Sequence, residues 1–460
     1  MRNKVFIILI LLCAVLGFSS CSQSQSNKKL AFDCDYVIDA DLTPSRLTYS
    51  EQAIVNNLGK DGTTLLYFHI YANKDLEAEN KIKVVSITGE DGEKLRFKML
   101  NDDSLIQVKL SESLEAGQAV TVTFQCEEEL PEMSGFCVYG IAHDGEIQLP
   151  FFNVQLAVYD QNGWDTEPSN PASDGRYSAC GDYELSVAVP SEYEVASMGV
   201  ETGRETRDGK TVYRFQADGR RDLILAACTD YYRLERDAGG TKILGYINSR
   251  KSSDMAESVM DDVALALEYF SSVLIEYPYE SLVIISDPWS NTHVSLECSG
   301  LIVQAIDLEN ASTRTVAHEV AHQWFYFLVG NNENREAWLD EGFAEFFSSL
   351  CLEAMGDIEE ANRWLEFDYE IAERDYSDLF LNEMPHERSE LLFVYVKGSR
   401  FLQELMDAMG REAFLSAVSD YCQQFAGHEA TSQDFISMIE KHSSEDMQEN
   451  INDIVSRYLR

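Results

Sequence analysis

The sequence predicts an α+β multidomain chain: an N-terminal antiparallel β-sandwich or saddle, then a mainly helical half. Three observations carry this. At 460 residues the chain is too long for one small core. Its apolar residues recur every second position from about Leu30 to Arg236, then every third or fourth position beyond Gly240. Its composition, 45% apolar and 25% charged, is that of a chain that folds.

Residues 1–20 read as a targeting segment of lipoprotein type. Arg2 and Lys4 precede an apolar run from Val5 to Phe18, shorter than the ~20 residues a spanning helix needs. Small residues then lead into Cys21, in a pattern similar to a bacterial lipoprotein signal whose cysteine becomes the lipidated first residue. Ordinary signal-peptidase cleavage nearby is the alternative. The polar stretch "SQSQSNKK" (21–29 with Cys21) reads as a tether. This places the protein in a bacterial cell envelope, held by lipid on Cys21 at the outer membrane or cell surface.

Formal charge is −43. Cleavage removes Arg2 and Lys4 and no acid, leaving 79 acids against 34 bases, near −45. Without a basic surface to displace phosphate counterions, nucleic acid is excluded as a partner.

The β half (30–236) shows its period in "AVTVTFQC", where Val120, Val122 and Phe124 alternate with Thr121, Thr123 and Gln125. "YELSVAVP" alternates Leu185, Val187 and Val189; "GKDGTT" and "GEDGEK" mark turns. The acidic run Glu127–Glu129 reads as solvated. "RDAGG" (Arg236–Gly240) reads as the boundary, with the second domain running 241–460. There Met255, Val259, Val263, Leu267, Phe270 and Leu274 trace one face of a helix beginning near Ser252 or Ser253. "SLVIISD" (Ser281–Asp287) reads as a short buried strand, and helices follow to the end. Eight cysteines beyond Cys21 form no CxxC pair, which argues against a structural zinc knuckle. Export permits disulfides without specifying which.

The chemistry concentrates in "HEVAH". On a helix, His318 and His322 project from nearly one face, so two imidazoles can ligate one ion at about 2.0–2.1 Å. Glu319 reaches the same cleft without being a ligand. Taken alone the motif also suits two ordinary histidines. "WLDEGFAEF" changes that, because Glu341 follows His322 by nineteen residues. This is enough for a turn at "GNNEN" and a second helix that supplies the third ligand of a His2Glu site, with a fourth position left for water. Trp324, Phe325, Phe327, Trp338, Leu339, Phe343 and Phe346 would pack the two helices. Glu345, one turn beyond Glu341, is placed to hold a ligand imidazole, unless it is a surface acid. His69, His143, His293, His386, His428 and His442 lack ligand spacing.

"HEVAHQWFYFLVGNNENREAWLDEGFAE" resembles the gluzincin aminopeptidases, the group of membrane alanyl aminopeptidase and leukotriene hydrolase, in a short bacterial branch lacking the C-terminal helical domain. "VYVKGSRFLQEL" matches the family's YxKG, and "YPYESLVIISD" its segment before the substrate-binding strand. The resemblance implies a thermolysin-like catalytic domain and one Zn2+ per chain on His318, His322 and Glu341. It implies Glu319 as the general base, Tyr395 as donor to the developing oxyanion, and a peptide substrate. The family's GxMEN aligns with "VSLECSG", which keeps Glu297 and Gly300 but has Val294 and Leu296 in place of glycine and methionine. The resemblance makes Glu297 the carboxylate that meets the substrate's amino terminus. The expected function is zinc-dependent removal of N-terminal residues from peptides. The alternatives are a zinc endopeptidase without amine recognition and a non-catalytic peptide-binding surface lipoprotein.

Overall fold

The computed structural model describes residues 30–133, 138–170, 175–288, 295–306, 312–384 and 392–460. The leader, Cys21, the tether, His293 and Val294 lie outside the described residues.

Two-residue periodicity builds the β half as several sheets. The largest has seven strands: Val200–Arg207, Lys210–Arg220, Gly181–Pro190, Phe32–Thr43, Arg46–Asn57, Ala119–Glu129 and Lys83–Thr88, in that spatial order. Its buried face takes Phe32, Cys34, Tyr36, Ile38, Ala40 and Leu42 from one strand and Leu185, Val187 and Val189 from its neighbour. Those two strands run parallel, Tyr36 opposite Tyr183, so the half is not wholly antiparallel as expected. They are more than a hundred residues apart in sequence, and only a tight hairpin would have forced opposite directions. The acidic run is also not all solvated. Glu128 points inward and accepts a hydrogen bond from the Tyr139 hydroxyl at 2.7 Å.

The expected boundary at Arg236–Gly240 is the tip of a hairpin. Tyr231–Ala238 and Thr241–Asn248 pair antiparallel within one five-stranded sheet, continued by Ser281–Ser286, Leu301–Gln304 and Leu296–Cys298. Glycines at 239 and 240, both at positive φ, make a tight turn rather than a linker. The chain changes sheets earlier, between Cys228 and Tyr231. This mixed sheet is covered on both sides. Val283, Ile285, Leu301 and Val303 join the core of the β half, while Ile243, Leu282, Ile284 and Ile302 join the core under the helices. A strand buried on both faces explains the unbroken apolar run "LVII".

The helix Ser253–Val273 begins where expected, its first turn capped by the Ser252 hydroxyl accepting from the Met255 N–H. Helices at Thr313–Ala321, Glu341–Met355, Ile358–Asp375, Leu392–Met409, Arg411–Phe425, Ser432–Lys441 and Glu445–Tyr458 complete the C-terminal part. Arg221, fully buried, ties the halves together. It donates to the carbonyls of Ser178, Phe327 and His428 and pairs with Glu429 at 2.7 Å. The described cysteines are all thiols, most of them buried. Among the described residues no helix is long and apolar enough to cross a membrane.

Candidate metal centre

The motif helix Thr313–Ala321 is capped by the Ser312 hydroxyl, which accepts from Thr315 N–H at 3.1 Å. Its apolar positions Val316, Ala317, Val320 and Ala321 are fully buried, which turns His318 and Glu319 toward the cleft. His322 sits at the helix's C-cap. There its Nδ1 lies 3.3 Å from the Phe325 carbonyl, a contact that places the proton on Nδ1 and leaves Nε2 as an acceptor. The following residues fold as turns before the chain returns at Glu341, first residue of the helix Glu341–Met355. All seven aromatic and aliphatic residues expected between the helices are buried.

Three donor atoms converge. His318 Nε2 and His322 Nε2 are 3.2 Å apart, and each lies 3.3 Å from Glu341 Oε2. Tetrahedral ligands on an ion at about 2.0–2.1 Å stand roughly 3.3–3.4 Å from one another, so this triangle matches one zinc ion. Among the described residues no other group of three such donors exists.

Electrostatics agree. Burial holds the His318 imidazolium down to about 4. Burial also opposes His322, but the Glu341 carboxylate outweighs it and lifts that ring to about 10. Glu341, despite its own burial, is held well below the usual carboxylate range by the two imidazoles. The Glu341 carboxylate thus stays ionised and holds a positive charge on His322, the charge that a divalent cation on these donors would replace.

Glu345 and Tyr395 touch the donor residues directly. Glu345 Oε2 is 3.4 Å from His318 Nδ1, which leaves Nε2 facing the triangle. Tyr395 reaches the site through Glu341: its hydroxyl donates to Oε1 at 2.7 Å, and its ring stacks on His318 at 5.9 Å. Glu319 is buried, 7% exposed, one residue beyond His318. Gln323 joins the motif to the strand bearing Glu297. Its Nε2 donates to the Cys298 carbonyl at 3.0 Å, and its Oε1 accepts from Gly300 N–H at 3.0 Å.

Two arginines escape a reading of the sequence. Arg314, one turn before His318, pairs with Glu345 and lies 4.0 Å over the Trp364 ring; the i, i+4 spacing to His318 is its only signal. Arg176, from the β half, pairs with Glu297. No local pattern links residues that far apart. Glu297 is thus a buried strand carboxylate with a cation on it.

Residues 291–458 match the peptidase family M1 domain. The chain is 26% identical to aminopeptidase M1-B of Oryza sativa subsp. japonica over 77% of its own length and 43% of that protein's. It is 25% identical to glutamyl aminopeptidase of Rattus norvegicus, over 75% and 40% respectively. The chain therefore spans about two fifths of these relatives. A crystal structure of an M1 zinc metallopeptidase from Deinococcus radiodurans superposes with a TM-score of 0.71, covering 93% of this chain and 94% of that one at 16% identity. A further structure of that protein, a point mutant, holds a Tyr-Ser-Ala substrate (TM-score 0.71, 16% identity, 94% and 95% covered). The shared fold is a multi-sheet N-terminal part followed by a helical C-terminal part.

Proposed function

We propose that this chain, which belongs through residues 291–458 to peptidase family M1, is a zinc-dependent peptidase that removes N-terminal residues from peptides. The observation that carries the reading is the triangle of His318, His322 and Glu341 donors with edges of 3.2–3.3 Å.

A zinc ion on that triangle supplies Lewis acidity, polarising the scissile carbonyl and acidifying an attacking water. Glu319, beside the ligands but outside the triangle, takes the water's proton and returns it to the leaving amine. Tyr395, whose hydroxyl already lies in the site on Glu341 Oε1, donates to the oxygen that gains charge. Glu345 keeps His318 turned with Nε2 inward. Glu297, on the strand that Gln323 ties to the motif, faces the first residue of the peptide. The helical part is thermolysin-like on this reading, with the catalytic domain running from the mixed sheet to the C-terminus. Lipid on Cys21 holds the protein in the cell envelope.

One observation favours a second reading. Arg176 on Glu297 weakens the claim of a free amino terminus on that carboxylate and so supports cleavage of peptides whose amine is blocked or distant. Peptides with free and acetylated termini, incubated with the purified protein with and without a chelator, test both. Chelator-sensitive release of the first residue is expected. No cleavage by zinc-loaded protein, or cleavage indifferent to chelation, removes the reading.

A further inference from the structure

Arg176 is 3% exposed and reaches across from the β half. Its Nη2 pairs with Glu297 Oε1, and its Nη1 lies 3.5 Å from the Glu297 carbonyl. Glu333 grips it twice: Oε2 accepts from the Arg176 main-chain N–H at 2.8 Å, and Oε1 lies 3.3 Å from Nε. Asp222 stands 3.8 Å from Nη1. The guanidinium also lies against two aromatic rings, 4.7 Å from the centre of Phe151 and 5.0 Å from that of Tyr326.

Both of those aromatic residues have left-handed backbone, φ 58° at Phe151 and 88° at Tyr326. Bulky residues adopt that region rarely and at a cost, so the surrounding structure must impose it. Two such residues on one guanidinium make a built clamp. Arg176 is not a surface side chain that swings aside when a substrate arrives.

We infer that Arg176 is a specificity-determining residue, occupying the carboxylate that a substrate ammonium would pair with and so making this peptidase largely indifferent to whether the terminus is charged. The inference rests on Glu297 facing the first residue of the substrate. An ammonium approaching Glu297 meets a fixed cation already hydrogen-bonded to the same carboxylate. Attraction by one and repulsion by the other, at similar range, cancel much of the Coulombic gain. The neighbouring acids are engaged as well. Glu333 serves Arg176 itself, and Asp222 accepts from the Ser299 N–H at 2.9 Å within the fields of Arg176, Arg220 and Arg221. What remains for the terminus is shape and hydrogen bonding, which an acetyl-capped residue also satisfies.

The test compares matched tetrapeptides that differ only in N-acetylation, cleaved by the zinc-loaded full chain, with calorimetric binding of leucinamide and N-acetyl-leucinamide as a second readout. Wild type is expected to prefer the free terminus by less than about tenfold, below what a dedicated charge pair supplies. Glu297→Gln should change that ratio by less than about threefold, since its charge is already spoken for. Arg176→Gln should raise the preference by about tenfold or more, because Glu297 is then left to the substrate. A wild-type preference above about a hundredfold that Glu297→Gln abolishes overturns the inference. An Arg176→Gln ratio equal to wild type also overturns it. Should Arg176→Gln not fold, the wild-type and Glu297→Gln ratios decide alone. If neither peptide is cut, the peptidase reading has failed, and the two amides still test Arg176 by binding.

Discussion

Gly342 and Gly398 meet backbone to backbone: a β-carbon on Gly342 would lie 2.8 Å from the Cα of Gly398, and one on Gly398 would lie 2.7 Å from the Cα of Gly342. These glycines follow Glu341 and Tyr395 by one and three residues. Their contact lets the helices Glu341–Met355 and Leu392–Met409 cross closely enough for the Tyr395 hydroxyl to reach Glu341 Oε1 at 2.7 Å.

Gly398→Ala should therefore push the helices apart at the point where the site needs them together. Overpacking of this kind costs about 1–3 kcal/mol, and a displacement near 1 Å at a reacting group costs on the order of 100-fold in rate. A lowered unfolding midpoint together with a fall in peptide turnover is expected. A variant with wild-type turnover would show that the crossing does not set the position of Tyr395.

Glu319→Gln keeps the size of the side chain and removes its basicity. None of the three converging donor atoms belongs to it, so zinc content should stay stoichiometric by metal analysis. Turnover should fall by about 10²–10⁴-fold, the range for loss of a general base. Retained turnover would remove Glu319 from the reaction, and lost zinc would make it part of the metal's support.

Much of this site is legible in the sequence because its chemistry is local. His318, Glu319 and His322 lie within five residues, and Glu341 and Glu345 are one helical turn apart, so helix periodicity alone sets their faces. The capping serine at 252 and the two-sided strand "LVII" are readable for the same reason. Other features are not. The parallel pairing of Phe32–Thr43 with Gly181–Pro190 joins strands whose periodicity is identical in either direction. "RDAGG" carries turn chemistry that serves a hairpin and a domain linker equally. Arg176 meets Glu297 across 121 residues of chain, and a lone buried arginine leaves no periodic trace. Glu128 is hidden because one acid within an acidic run looks like its neighbours, although strand alternation sends it to the opposite face.

Glu345→Gln probes the support behind His318. The carboxylate lies 3.4 Å from His318 Nδ1 and also pairs with Arg314. Removing its charge should weaken zinc binding by about 10–100-fold, as losses of such outer partners do. Competition with a chromogenic chelator reads this without any turnover. An unchanged affinity would leave Glu345 as the counter-ion of Arg314 and nothing more.

Glu51 lies in the core of the β half, fully buried, with Oε2 accepting from Val154 N–H at 2.9 Å. Burial lifts its carboxyl to about 8. A carboxyl raised in the folded state favours folding fully below its unfolded value, near 4.3, and that contribution is lost as pH climbs through the folded value. The wild-type protein should thus lose stability between about pH 4.5 and 8. Glu51→Gln presents the same shape with no proton to lose. Its stability should match wild type near pH 4.5 and exceed it at pH 8 by on the order of 1–3 kcal/mol. Denaturant unfolding of the two proteins across that range measures the difference directly. A gap that stays constant with pH would mean that Glu51 keeps the same protonation state in the folded and unfolded chains.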